Sequence, residues 1–311
     1  KLTQINETEL TNGIFWDQLP ATIRDAVLVC RRINIQFLWV DSLCIMQDNA
    51  SDLAHNLAQM PEVYKRAHVT IAASVAASCR EGFLSTRLAG ARSRDLLKLR
   101  HRSRDGAMGS QFVLHDEGKK IVGSGPLEKR AWALQERLLS QRFLSFAFSQ
   151  LSWRCNTSTP SSDFVDGWRH PDSNRTVMLG KEKTLESWVL LVKDYSARSL
   201  TDSGDRLAAV AAIAEEFGDA LKDEYVAGLW KRSLPARLLW TSGCRMPRPL
   251  SYIASTWSWA SVQRDILWLL DHPNLFTVTM ECHIELLKCH TEPVHQNVPY
   301  GTLKSGHIIL R

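Results

Sequence analysis

The chain lacks any run of about 18 uninterrupted apolar residues, so no segment reads as a membrane-spanning helix. Its opening, KLTQINETEL, has neither an initiator Met nor the apolar core of a secretory signal, and it begins mid-pattern. The expectation is a fragment or an incompletely read gene. No Gly-x-x-x-x-Gly-Lys loop is present, which removes the usual phosphate cradle of nucleotide hydrolases. The segment STWSWAS lacks a Gly-x-Ser-x-Gly elbow, so a serine hydrolase of that type is excluded. Internal repeats and low-complexity tracts are also missing. The seven cysteines are odd in number and scattered, without framework spacing, and read as reduced thiols of an intracellular, cytoplasmic protein. Net charge is only +5, which permits an anionic ligand without pointing to nucleic acid. Against these shortages stands one excess, tryptophan, most of it from Trp132 onward.

What is present has the length and composition of one large or two moderate globular domains. Pro20 opens a predicted helix whose Ile23, Ala26, Val27, Cys30 and Ile33 repeat at core-facing spacing. The run Phe37–Val40 reads as a short buried strand, followed at once by Asp41, Ser42, Cys44, Gln47 and Asp48. A second predicted helix carries Leu53, Leu57, Met60 and Tyr64 on one face, with Ser51 as its N-cap and Pro61 bending or shortening it. The run HVTIAASVA at 68–76 is the next strand. Helix, strand, helix, strand at this spacing predicts a parallel α/β unit.

Shorter alternating runs, RDLLKLRH and QFVLHD, predict an inserted β-hairpin. After a Gly-rich turn come the helix LEKRAWALQERLLS and the strands RFLSFAFSQ and LSWRC. Residues 156–180, rich in Ser, Thr, Asp, Asn and Pro, make a linker between a first domain at 1–155 and a mainly helical region at 181–311. In that region KTLESWVLLVKDYS and DRLAAVAAIAEEFG predict helices, the second capped by Asp202 or Ser203. YVAGLWKRSLPARLLW reads as helical on both sides of Pro235, and short strands follow Pro249.

Several blocks occur in order: LPATIRDAVLVCRRINIQFLWVDSLCIMQDNASD, MPEVYKRAHVTIAAS, RAWALQERLLSQRFLSF, and further on YSARSLTDSGDRLAAVAAIAEEF and STWSWASV. Together they resemble the fungal heterokaryon-incompatibility (HET) domain and the region that often follows it. The opening strand of that family, with a Tyr-x-x-Leu-Ser-Tyr-x-Trp-Gly type of motif, has no match in residues 1–19, so the first strand is expected to be absent here. Pro61 stands where relatives carry a better helix former. The resemblance implies a role in non-self recognition and regulated cell death. It also implies partners among other incompatibility or death-signalling proteins, or self-association. The segment Trp132-Ala-Leu-Gln-Glu136 is in turn similar to the Trp-Cys-x-x-Glu segment of TIR domains, which implies a flavodoxin-like parallel sheet and NAD hydrolysis.

Candidate site residues follow from these two readings. Sheets of this kind place ligands beyond the carboxyl ends of their strands, which is where Asp41 and Ser42 would lie. Asp41 either contacts a ligand or caps a turn, since Asp and Ser readily bond nearby backbone amides. Asp48 reads as a cap or turn residue. On the helix, Leu127, Ala131, Leu134 and Leu138 share one face, and Glu136 falls on the other beside Trp132 and Leu139, a side expected to be covered or to line a cleft. The TIR resemblance makes Glu136 the catalytic carboxylate, with Trp132 stacking on a ring and Arg137 near the pyrophosphate. NAD would be the substrate, and no bound cofactor is expected. The other reading of Glu136 is a structural bond to a neighbouring arginine or to the helical region. Six arginines from Arg87 to Arg104 read as an exposed basic hairpin in preference to a nucleic-acid contact. Cys282/His283 and Cys289/His290 are spaced too widely for a usual zinc site, so no metal is expected.

Overall fold

The computed structural model describes residues 1–85, 96–102, 106, 108–114, 125–147, 151–155, 164–165, 168–169, 183–243, 249, 251–269 and 283–311. The chain divides into two compact units that interleave along the sequence. The first comprises 1–54, 69–128 and 142–169, and the second comprises 55–68, 129–141 and 170–311. Of the expected linker at 156–180, all but residues 164, 165, 168 and 169 lies outside the described residues.

The first unit opens with α1 (Glu7–Asn12), α2 (Ala21–Arg32) and the one-turn α3 (Asp41–Cys44). Pro20 stands at the N-cap of α2, where its missing N–H costs nothing. Ile23, Val29 and Cys30 are the buried side chains of α2, and burial pushes the Cys30 thiol pKa up. Ile33, expected on that face, is 42% exposed. The helix ends at Arg32, and Asn34 turns the backbone left-handed at φ 56°, so helical spacing stops predicting direction there.

The expected strand at 37–40 does not form: these residues take no ladder position, and Phe37 is 85% exposed. Four apolar residues are too few to hold a strand without a neighbouring ladder. Here the backbone is drawn into turns at both ends, through Ile35 N–H to Cys30 and Leu43 N–H to Val40.

The sheet runs in the order β1 (Thr70–Ala72), β4 (Arg142–Phe146), β5 (Leu151–Cys155), β6 (Phe164–Val165), β7 (Trp168–Arg169). Strands β1 and β4 pair in parallel, with Ile71 opposite Leu144, and the remaining pairings are antiparallel. The observed sheet is therefore mixed. The expected hairpin is present as β2 (Leu96–Arg102) against β3 (Met108–Leu114). Arg87, Arg92, Arg94 and Arg104 of the basic run lie outside the described residues. The small core of this unit gathers Val29, Val75, Phe83 and Phe146, with the Phe83 and Phe146 rings 4.7 Å apart.

Helix α4 (Ala50–Arg66) contributes its first turns to the first unit and the rest to the second. Its cap is Asn49, whose side-chain oxygen accepts from the Ser51 and Asp52 amides; Ser51, the expected cap, is inside the helix. The helix runs through Pro61 without ending, and Met60 is its buried residue.

The second unit holds α5 (Trp132–Leu139), α6 (Leu185–Ser196), α7 (Ala211–Leu221) and the short α8 (Leu234–Arg237). Thr184 caps α6 by accepting the Ser187 amide. Asp202 accepts the Gly204 amide, as expected of a cap, but one turn of 3-10 helix over Ser203–Arg206 and another at Ala208–Val210 precede α7. The stretch expected as helix before Pro235 is a tight hairpin of β8 (Tyr225–Val226) and β9 (Leu229–Trp230). Ala227 and Gly228 both take positive φ, 50° and 92°, the conformation a two-residue hairpin turn demands. Pro235 sits in the first turn of α8, where it is tolerated. Two further antiparallel pairs complete the unit: β10 (Trp240–Ser242) with β11 (Ile266–Trp268), and β12 (Leu286–Pro293) with β13 (Leu303–Leu310).

The core of this unit is large and aromatic. Leu134, Leu191, Val192, Ala209, Val210, Phe217, Leu234, Trp259 and Ile266 are fully or almost fully buried. Trp188 meets Phe217, Tyr225 and Trp230 edge-on at 5.2, 6.0 and 5.5 Å. Each large apolar side chain so buried contributes about 1.5–3 kcal/mol, and edge-to-face ring pairs add roughly 0.5–1.5 kcal/mol each.

Candidate functional site

The sequence-predicted residues fall into both units, Asp41 and Ser42 in the first and Trp132, Glu136 and Arg137 in the second. Asp41 is exposed and opens α3, where its Oδ1 accepts the Ser42 amide at 2.6 Å and its carbonyl accepts the Ile45 amide. The Ser42 carbonyl accepts the Leu2 amide at 2.8 Å. The Asp41 side chain thus bonds a local backbone amide. Asp48 accepts the Gln4 amide through both carboxylate oxygens, so it fastens the first residues of the chain to the segment after α3. Elsewhere in this unit Asp25 of α2 accepts the Phe83 and Leu84 amides at 2.6 and 2.9 Å. Ser74, in the turn after β1, and Ser145 of β4 share a buried hydroxyl–hydroxyl bond of 2.8 Å.

In the second unit α5 is built into the core by three of its residues. Leu134 is fully buried. The buried Gln135 accepts the Ala212 amide at 3.0 Å, satisfying one of the free N–H groups at the start of α7. Half-buried Trp132 donates its indole N–H to Asp205 at 3.1 Å. Burial raises the Asp205 carboxyl pKa, the Trp132 bond opposes that rise, and nearby Asp202 adds to it. Glu136 and Arg137 are half-buried, and the Glu136 carbonyl accepts both the amide and the hydroxyl of Ser140.

Beside Asp205 stands a residue that sequence reasoning passed over. Arg206 is 2% exposed, its guanidinium lies 5.5 Å from the Trp259 ring centre, and its Nη2 donates to the Arg264 carbonyl at 2.8 Å. Its Nε has no hydrogen-bond partner, and its backbone carbonyl accepts the Tyr195 hydroxyl at 2.6 Å. Desolvation lowers the Arg206 pKa and also pushes the Tyr195 phenol well above its ordinary range. The signal was available in the sequence: an arginine opening the otherwise apolar run RLAAVAAIA is either exposed at a helix start or buried for a purpose.

A cleft of about 380 Å³ opens in this region, lined by residues 196–200, Arg206 and residues 263–265. Across α4 and α7, Glu216 receives Lys65 at 3.1 Å and Lys183 at 2.9 Å. Burial alone would raise its carboxyl pKa, but the two lysines hold it below the ordinary range. Among the described residues no cluster of three or more His, Cys, Asp or Glu is placed to hold a metal. Cys282 lies outside them, and His290 faces His307 across β12 and β13 with ring centres 5.5 Å apart. None of the described helices is long and apolar enough to cross a membrane.

These features define a mixed α/β protein with a small-sheet unit and an aromatic-cored unit. Residues 2–136 match the family model described as "Heterokaryon incompatibility protein (HET)". No curated protein and no solved structure matches the chain.

Proposed function

We propose that this chain acts in fungal heterokaryon incompatibility, in the non-self recognition that leads to regulated cell death. It does so by assembling with other incompatibility or death-signalling proteins or with a second copy of itself. The HET match over residues 2–136 supports the pathway. The observation that carries assembly over catalysis is the commitment of α5. Its Gln135 caps α7, its Trp132 indole N–H is taken by Asp205, and Leu134 is sealed in the core. A helix used in this way is scaffold, and the working surface then lies elsewhere.

A second reading keeps Glu136 as the catalytic carboxylate of a TIR-like NAD hydrolase, acting in the cytoplasm. It is favoured by Glu136 being incompletely buried, one turn beyond the half-buried Trp132 and next to Arg137. A single carboxylate there would stabilise the oxocarbenium-like charge as the nicotinamide–ribose bond breaks. A flavodoxin-like sheet belongs to the same reading, and the parallel β1–β4 pairing is the part of the sheet that supports it.

Incubating the purified chain with NAD separates the two. Assembly predicts no nicotinamide release, together with toxicity on expression that persists in Glu136→Gln with cellular NAD intact. Nicotinamide release by the wild-type chain that disappears in a folded Glu136→Gln variant would replace assembly with hydrolysis.

A further inference from the structure

We propose that the cleft of the second unit lined by Arg198, Arg206 and Arg264 binds a small phosphomonoester, with the phosphate seated against the Arg206 guanidinium. Arg206 is the observation that demands a ligand. It is 2% exposed, no carboxylate lies within ion-pair distance of it among the described residues, and its Nε is left without a partner. The bond to the Arg264 carbonyl and the Trp259 ring hold the guanidinium in place and cover one side of it, but neither carries a full negative charge. A buried cation of this kind is stabilised by an anion that arrives from solution.

The cleft supplies the rest of the site. Arg198 lines it with its guanidinium already oriented by Asp194 at 2.9 Å, while exposed Arg264, Gln263 and Ser199 stand at the rim. Guanidinium forks match the spacing of phosphate oxygens better than ammonium groups do, and three arginines offer more donors than a lone carboxylate needs. Asp265 is the opposing group, an exposed carboxylate on the same rim. Ser196 is already occupied, since its hydroxyl donates to the Lys193 carbonyl and accepts the Ile266 amide. At about 380 Å³ the cleft exceeds a bare phosphate and falls within the range of small-molecule sites, so the esterified group has room beside the anion.

The test is calorimetric titration of the whole chain with inorganic phosphate and with glucose 6-phosphate, ionic strength being held constant with chloride. Saturable binding of both is expected, tighter for the ester. Arg206→Gln and Arg264→Gln should each weaken it about tenfold or more, the loss of one charge-assisted bond, while Asp265→Asn should strengthen it. Because Arg206 is buried, near-ultraviolet circular dichroism checks that its variant folds, and Arg264→Gln alters only an exposed side chain. The absence of saturable binding of inorganic phosphate overturns the site. So does binding that is unchanged in both arginine variants. Phosphate binding without ester binding overturns the ester.

Discussion

At the scale of single residues, Gly228 carries an unusual share of the second unit. Its carbonyl accepts two indole N–H groups, from Trp188 at 3.0 Å and from Trp259 at 2.8 Å. Its φ of 92° is one that side-chain-bearing residues rarely adopt, and a Cβ there would meet the Trp259 ring at 2.6 Å. Gly228→Ala should therefore cost about 3 kcal/mol or more in urea unfolding, from backbone strain added to overpacking. Neighbouring Ala227 also takes positive φ but its methyl is buried in the core, so Ala227→Gly should be close to neutral by the same measurement, relief of the left-handed strain being offset by the lost packing. Neither requirement was visible in YVAGLWKRSLPARLLW, where the apolar spacing suits a helix. Ala-Gly is a weak turn signal, and only the tertiary contacts of two distant tryptophans decide it.

Among the elements, those read correctly were the ones whose local pattern and tertiary use agree. Helices α2, α4 and α6 follow from apolar periodicity, with Pro20 marking the start of α2, whereas the caps Asn49 and Thr184 were not singled out. The parallel unit expected from the runs at 37–40 and 68–76 does not form; the parallel partner of β1 is instead β4, much further along the chain. The expected strand at 37–40 failed because apolar content alone does not supply a ladder, and Asp41 bonds the Ser42 amide just as the run ends. The candidate site was legible in a similar, partial way. Trp132 and its helix could be singled out, yet their partners Asp205 and Ala212 lie more than 70 residues further along the chain, beyond the reach of periodicity.

Glu216 shows how an element is tied to its neighbours by charge. Its carboxyl pKa is held below that of an unfolded glutamate by Lys183 and Lys65, so the stabilisation is present above about pH 4.3 and is lost as pH falls through the folded pKa. Glu216→Gln should cost about 1 kcal/mol at neutral pH, and that difference should vanish as pH falls below the glutamate range, read from thermal unfolding across pH.

At the scale of the whole molecule, residues 55–68 and 129–141 group with the long C-terminal stretch, although sequence reading placed them in the first domain. A HET match that ends at residue 136 thus runs from one unit into the other. The segments around α4 and α5, together with the crossing after residue 169, are where chain continuity links the two units, so a cut at α4 or α5 is expected to affect both.

The Gly228 carbonyl has one more consequence. It holds two indoles by their N–H groups inside a nest of edge-on rings, within a unit that contains seven of the eleven tryptophans. That nest is a built-in optical reporter. Close, fixed indoles couple their electronic transitions, so the second unit should announce its folded state by a strong near-ultraviolet dichroic signal and blue-shifted emission. The first unit holds the other four tryptophans, Trp16, Trp39, Trp153 and Trp168, and adds its own emission to the same light.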